Sequence, residues 1–223
     1  MTPTPSVTVI VPAFNAADVL AEALRSIGEQ RCAVEVVVVD DGSTDATAAV
    51  ARACGARLLR QDNRGPSATR NAGLAVAATP LVAFLDADDL WPAGSLAARI
   101  AYLEAHPDAH YVQGRIRDLW PGLAPTGGDQ LDAPRSGFNV GCALFQRALF
   151  DTIGFFDESR RHGEDVDLLV RAAAHGQRRG RIADVTLIYR RRLYDEVGAY
   201  RRHIANLTGA VKRTLDARRR RDG

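Results

Sequence analysis

The sequence predicts an α/β domain whose mostly parallel central sheet is covered by helices on both faces. Two observations predict it. Short apolar, β-branched runs alternate with segments whose apolar residues recur at helical spacing, and polar or acidic residues stand directly after three of those runs. The chain has 223 residues, 46% of them hydrophobic, which is enough for one such core and excludes disorder of the whole.

Taken in order, Val7 to Val11 is an apolar run ending at Pro12 and predicts the first strand. Ala17 to Gln30 carries Val19, Leu20, Ala23, Leu24 and Ile27 at helical spacing. Val36 to Val39 predicts a second strand, with Ser43 or Thr44 capping a helix from near Asp45 to Cys54. Arg57 to Arg60 is a third strand, Ser67 to Ala77 a third helix, Leu81 to Leu85 a fourth strand and Ser95 to Ala105 a fourth helix. Residues 1–105 thus form one half of the domain.

From Ala109 the character changes. Ala109 to Leu119 predicts a strand, and Trp120 to Pro134, rich in Gly and Pro, a loop. Val140 to Gln146 predicts a strand and Ala148 to Ile153 a short helix. A helix follows Gly163, beginning Glu164, Asp165, Val166, Asp167, and Ile182 to Tyr189 is the last strand. Residues 106–189 make the second half of the same domain, and 190–223 a basic tail with a terminal helix over Ile204 to Arg220. Tyr111 is assigned to the core.

The formal net charge is only +2, yet the placement is uneven. Acidic residues cluster in the first two-thirds, whereas Arg190, Arg191, Arg192, Arg201, Arg202, Lys212, Arg213 and Arg218 to Arg221 crowd the end. Lys212 is the sole lysine among 29 basic residues, a bias that GC-rich coding explains. No stretch approaches the roughly 18 consecutive apolar residues of a membrane span, and the start lacks a secretory pattern. A cytoplasmic location is the default expectation, with peripheral contact at the inner membrane face through the basic tail. Cys32, Cys54 and Cys142 lack metal-site spacing and read as buried reduced thiols.

In open α/β sheets ligands bind beyond the carboxyl ends of the strands. Three acidic groups fall at candidate positions. Asp86 and Asp88 stand two apart in an extended segment and face one side together, which suits a hard cation such as Mg2+ or Mn2+ completed by phosphate oxygens. Asp40 and Asp41 end the second strand, where a carboxylate can accept the imide N–H of a pyrimidine base. Glu164, Asp165 and Asp167 occupy a first helical turn and can supply a general base. Each group also has a plain alternative: Asp89 or Ser95 capping a helix, an Asx turn after Asp41, and charge compensation at a helix start.

Together the segments say more. VTVIVPAFNAADVLAEALRSI, VVVVDDGSTDATAAV, GPSATRNAGL, LVAFLDADDLWP, GFFDE and GEDVDLLVRAAAHG, in this order over about Val7 to Gly176, resemble the family 2 glycosyltransferases. The resemblance implies the single-domain, Rossmann-like A-type glycosyltransferase fold and an inverting, metal-dependent transfer of sugar from a nucleoside diphosphate, UDP first and TDP or GDP after it. It implies nucleotide-sugar contacts from Pro12, Ala13, Phe14, Asp41, Arg70, Asn71, Asp86 and Ala87, with Gly65 and Gly73 allowing close backbone approach. Asp88 is implied as the ligand of Mn2+ or Mg2+, Asp165 as the catalytic base and Glu164 as its neighbour in the acceptor pocket. Implied acceptors are a saccharide, a lipid-linked saccharide or another hydroxyl compound, in cell-surface polysaccharide or glycoconjugate synthesis.

The family's Tyr-Arg-His pattern after the last strand is matched only at its start by Tyr189, Arg190 and Arg191; a similar string, Tyr200 to His203, follows later. His203 reads as a surface or packing residue, and His162 is a titratable neighbour of the acidic helix start. Trp91 and Trp120 either stack on sugar rings or anchor packing. Two rivals are a nucleotidyltransferase, whose Gly-rich basic loop the segment Pro12 to Asn15 lacks, and a non-catalytic nucleotide-sugar sensor or basic scaffold. Nucleic acid is not the expected partner.

Overall fold

A computed structural model describes residues 7–122, 129–137, 139–160 and 162–191. The proposed tail helix over Ile204 to Arg220, Arg192 and the Tyr200 to His203 string lie outside the described residues.

The first half alternates as its periodicity predicts. Strands β1 (Val7–Ala13), β2 (Val34–Asp40), β3 (Arg57–Arg60) and β4 (Leu81–Phe84) are separated by helices α1 (Leu20–Gly28), α2 (Thr47–Ala53) and α3 (Pro66–Val76). After α4 (Ser95–Ala105) come β5 (Tyr111–Trp120), β6 (Gln130–Leu131), β7 (Ala143–Gln146), α5 (Ala148–Ile153), α6 (Glu164–Ala174) and β8 (Arg179–Arg190). The sheet order is β3-β2-β1-β4-β7-β5-β6, with β8 on the other side of β5.

Strands β1 to β4 pair in parallel, β7 runs against both β4 and β5, and β8 is parallel to β5. Two reversals restore direction, so β5 and β8 end on the same edge as β1, β2 and β4. That edge carries the acidic groups.

Both faces of the sheet are covered, which is why its central strands read as unbroken apolar runs. On β1, Val9 and Val11 join Leu20, Ile27, Leu96 and Ile100 on one face, while Ile10 joins Phe84, Phe145, Phe150 and Leu168 on the other. Tyr111 belongs to the second face and is buried, as assigned. A Cβ on Gly73 would lie 2.4 Å from Ile10 Cγ2, so this glycine serves the approach of α3 to β1.

Several boundaries differ from the sequence reading. Helix α1 starts at Leu20 rather than Ala17, because the preceding residues are tied to the start of α2: Ala16 N donates to Thr47 Oγ1 and Ala17 N to Asp45 Oδ2. Neither Ser43 nor Thr44 caps α2. Ser43 Oγ accepts from Asn15 N, Thr44 N donates to Asn15 Oδ1, and Asp45 Oδ1 takes the Thr47 N–H instead. Helix α4 likewise follows Gly94 without a side-chain cap from Asp89 or Ser95. Val140–Cys142 is a 3-10 turn before β7, β8 begins three residues before Ile182, and β6 lies within the expected loop. Of the three cysteines only Cys142 is buried, and burial pushes its thiol up to about 11, so it is inert; Cys54 is exposed.

Arg99 is fully buried without a carboxylate partner among the described residues. Its Nε and Nη1 donate to Ser95 O and Ala143 O, and its guanidinium lies 4.3 Å from the Trp91 ring. Burial lowers its pKa to about 9, still protonated at neutral pH. Arg99→Ala removes packing and leaves carbonyls unpaired. The expected loss is about 3 kcal/mol, the size of a large-to-small core change. Urea unfolding should show the lower midpoint at unchanged slope.

Candidate active site

The loop leaving β1 carries Pro12, Ala13 and Phe14; Ala13 is buried and Phe14 is 49% exposed. It lies against the end of β2, where Asp41 N donates to Ala13 O at 2.8 Å. The two aspartates there have separate tasks. Asp40 is fully buried, with Oδ2 on Arg60 Nε at 2.8 Å and Oδ1 accepting from Ser43 N at 2.9 Å.

Asp41 is cradled by the 61–65 loop. Its Oδ1 accepts from Gln61 Nε2 at 2.7 Å and Arg64 N at 2.9 Å, and its Oδ2 from Gly65 N at 2.8 Å. Two lone pairs per carboxylate oxygen leave one acceptor position, on Oδ2. Gly42 makes this turn possible at φ +82, where a Cβ would stand 3.0 Å from Asn63 N.

Arg70 of α3 is the centre of the site. Its Nη2 donates to Asp86 Oδ1 at 2.6 Å and its Nη1 to Glu164 Oε1 at 2.7 Å, and its guanidinium lies 5.7 Å from the Phe156 ring. Both side-chain partners raise its pKa against a desolvation that would lower it, so the group stays charged. Its neighbour Asn71 binds the Phe156 peptide twice, Nδ2 to Phe156 O and Oδ1 from Phe156 N, both at 2.9 Å. Through these two residues α3 brings the 156–164 segment onto the end of β4.

The acidic loop after β4 holds Asp86, Ala87, Asp88 and Asp89. Asp89 is 1% exposed; its Oδ1 accepts from Arg190 N at 2.9 Å, and burial with Asp86 and Asp88 nearby raises its pKa well above the usual carboxylate range. Arg190 Nε donates to Asp88 O at 2.9 Å. Asp86 and Asp88 offer hard oxygen ligands on one loop, and among the described residues no group of three or more His, Cys, Asp or Glu side chains is gathered for a metal. That donor set fits Mg2+ or Mn2+ held by one or two carboxylates and completed by phosphate oxygens.

Glu164, Asp165 and Asp167 begin α6 after Gly163 at φ +73. Asp167 is structural: Oδ1 lies 3.3 Å from Arg160 Nε and Oδ2 2.8 Å from Arg171 Nε. Asp165 is different. Its Oδ1 accepts only the Val166 N–H among the described contacts, and its pKa is raised to about 7, first by desolvation and then by the Glu164 charge, against the lowering effect of Arg70.

Trp91 is a packing anchor: it is 2% exposed and donates Nε1 to Gly141 O. Trp120 is partly exposed, with Nε1 on Asp132 Oδ2 at 2.7 Å and Arg191 beside its ring. His162 is exposed ahead of α6.

The family model "Glycosyl transferase family 2" matches residues 8–156, two-thirds of the chain. The chain belongs to glycosyltransferase family 2. Within the family, it is 38% identical over 199 residues to the succinoglycan biosynthesis protein ExoU of Rhizobium meliloti, covering 77% of this chain and 58% of that protein. It is 34% identical over 185 residues to the uncharacterized glycosyltransferase Rv0539 of Mycobacterium tuberculosis, covering 78% of this chain and 81% of that one. The chain thus spans about three-fifths of the length of the first of these relatives.

Solved structures share the A-type glycosyltransferase fold. The mannosyltransferase PcManGT of Pyrobaculum calidifontis, solved with GDP-Man and Mn2+, superposes with a TM-score of 0.73 at 27% identity, covering 95% of this chain and 65% of that one. S. aureus TarS 1-349 with UDP-GlcNAc superposes at 0.69 and 24% identity, covering 84% of this chain and 59% of that one.

For this family 2 chain the sequence motifs did not reveal three participants: Gln61 on Asp41, and Arg190 and Glu22 behind the acidic loop. Gln61 sits in no motif, and Glu22 lies within the first quoted segment but carries no signal of its own there. Arg190 carried a faint signal, as the arginine after Tyr189.

Proposed function

We propose that the chain transfers a glycosyl group, with inversion, from a nucleoside-diphosphate sugar, UDP first, to the hydroxyl of a saccharide, lipid-linked saccharide or similar acceptor. One observation carries this reading: Asp41 and the Asp86 to Asp88 loop follow strands that end on one edge of the sheet, and Arg70 joins Asp86 to Glu164, the residue before Asp165. The family membership and the succinoglycan relative support a role in polysaccharide or glycoconjugate synthesis.

In this reading Pro12, Ala13 and Phe14 border the base, and the one acceptor position left on Asp41 Oδ2 takes the single imide N–H of uracil. Asp86 and Ala87 face the ribose and Asp88 holds the divalent cation, Mn2+ or Mg2+. When bound, that cation neutralises charge on the departing diphosphate. Arg70 and Asn71 act at the rim of the nucleotide site by holding the 156–164 segment against it. Asp165 removes the proton from the acceptor hydroxyl, which attacks the oxocarbenium-like anomeric carbon from the face opposite the leaving group. Glu164, pinned by Arg70, shapes the acceptor side.

No helix among the described residues is long and apolar enough to cross a membrane. The reading places the protein in the cytoplasm, with the arginine-rich end as the part suited to an anionic membrane surface.

The test is nucleotide binding with and without metal. UDP with Mn2+ should raise the melting temperature, and a panel of UDP, TDP and GDP sugars should identify the donor by metal-dependent hydrolysis. Asp88→Ala should weaken UDP binding in Mn2+ about tenfold or more. Unchanged metal-dependent affinity would count against Asp88 as a ligand, and stabilisation by duplex DNA instead of UDP would sink the transferase reading.

A further inference from the structure

The acidic loop after β4 is joined to the end of β8 residue by residue. Leu90 N donates to Ile188 O at 3.0 Å and Ile188 N to Leu90 O at 2.8 Å. One step on, Arg190 N donates to Asp89 Oδ1 at 2.9 Å, and Arg190 Nε to Asp88 O at 2.9 Å. The same guanidinium reaches Glu22 in the first turn of α1, with Nη2 to Oε2 at 2.5 Å. Asp89 N closes the loop on Asp86 O at 3.0 Å.

The main chain of Asp88 is thereby held from outside its own loop. Arg190 is 18% exposed in its side chain and Glu22 49%. A rim ion pair of that kind adds little to folding stability by itself. A planar guanidinium bonded at two points, however, has its orientation set by both partners, and one of them is the main-chain carbonyl of Asp88.

We propose that Arg190, oriented by Glu22, is a positioning residue that sets where the Asp88 carboxylate stands for its divalent cation. The proposal rests on the metal reading given above for Asp88. It makes the Arg190 side chain act through a main-chain carbonyl of the acidic loop, without touching the diphosphate. It also ties α1, the helix that follows the nucleotide loop at Pro12 to Phe14, to the metal loop through the last strand.

The experiment measures free Mn2+ by electron paramagnetic resonance with the whole chain and UDP, and metal-free UDP binding by calorimetry. Arg190→Gln should weaken Mn2+ binding about tenfold, the usual size of an outer-shell loss. Glu22→Gln, on the rim, should weaken it about threefold, and Arg190→Lys, which supplies a point charge without the fork, should recover part of the loss. Metal-free UDP affinity should stay within about twofold for all three, since the proposed effect reaches the nucleotide only through the cation.

If Arg190→Gln fails to fold, Glu22→Gln decides alone. Unchanged Mn2+ binding in these variants, while Asp88→Ala weakens it, overturns the positioning role and leaves the metal reading standing. Loss of metal-free UDP affinity as large as the metal-dependent loss overturns it too, because Arg190 then contacts the diphosphate directly. Unchanged Mn2+ binding in Asp88→Ala removes the metal reading and the proposal together.

Discussion

Asp165→Asn is expected to lower sugar transfer on the order of 10^3-fold while leaving UDP binding near its original value. The amide keeps the shape of the side chain and its acceptor oxygen for Val166 N, but cannot take a proton from the acceptor hydroxyl. In the unmodified protein the carboxyl has its pKa raised to about 7, so it serves as a base only once that proton has left. The rate constant kcat/KM should therefore rise with pH up to about 7 and level off above it. A rate independent of pH between 5 and 8, or near-normal turnover in the variant, would remove Asp165 from the base role.

The same shift has a consequence for stability with a definite sign. A carboxyl whose pKa rises from 3.8 to about 7 on folding binds more protons in the native than in the unfolded state between those values. Its contribution is fully present below 3.8 and lost as pH climbs through about 7. Asp165→Asn cannot ionise, so its melting temperature should gain on the unmodified protein as pH rises through that window and hold the gain above it. The inactive variant is thus expected to be the more stable one at pH 8.

Arg70→Leu is expected to cost about 3 kcal/mol of stability, because it leaves the largely buried Glu164 carboxylate without its cation and facing the half-buried Asp86. Glu164 is 12% exposed in its side chain and Arg70 5%, so water replaces the lost cation poorly. The Arg70 charge also holds the Asp165 pKa down, and its removal should move the acid limb of the rate profile to higher pH. Arg70→Lys should recover part of the stability, since one ammonium cannot serve both carboxylates in the fork geometry. Urea unfolding and a pH series on the folded fraction check the two effects. A leucine variant as stable as its parent, with an unmoved pH profile, would show that the bridge between Asp86 and Glu164 does no work.

The sequence reading of the site was strongest where the geometry is local. Asp41, Asp86 and Asp88 follow the ends of β2 and β4 within a few residues, so their place at that edge of the sheet depends on local sequence alone. It was weakest where one side chain chooses between partners. Ser43 and Thr44 are good caps by residue type, yet Asn15 takes both, Ala46 stands at the cap position and Asp45 accepts the Thr47 N–H. Trp91 is equally at home against a sugar or in a core, and Arg99 beneath it decides for the core. Asp167 belongs to the same acidic turn as Asp165 but is occupied by Arg160 and Arg171.

Chain periodicity and turn chemistry by themselves determined the α/β alternation, the buried parallel strands, the place of two acidic groups after strand ends and that of the third at a helix start, because these depend on neighbours within a few residues. Only the tertiary structure decided what state each carboxylate is in. Arg70 meets partners 16 and 94 residues away, and Arg190 reaches Glu22 across 168. Desolvation and Coulomb interaction act through space, so the state of an aspartate is set by what folds against it: Asp40 bound to Arg60, Asp41 left with one acceptor position, and Asp165 with its pKa raised to about 7.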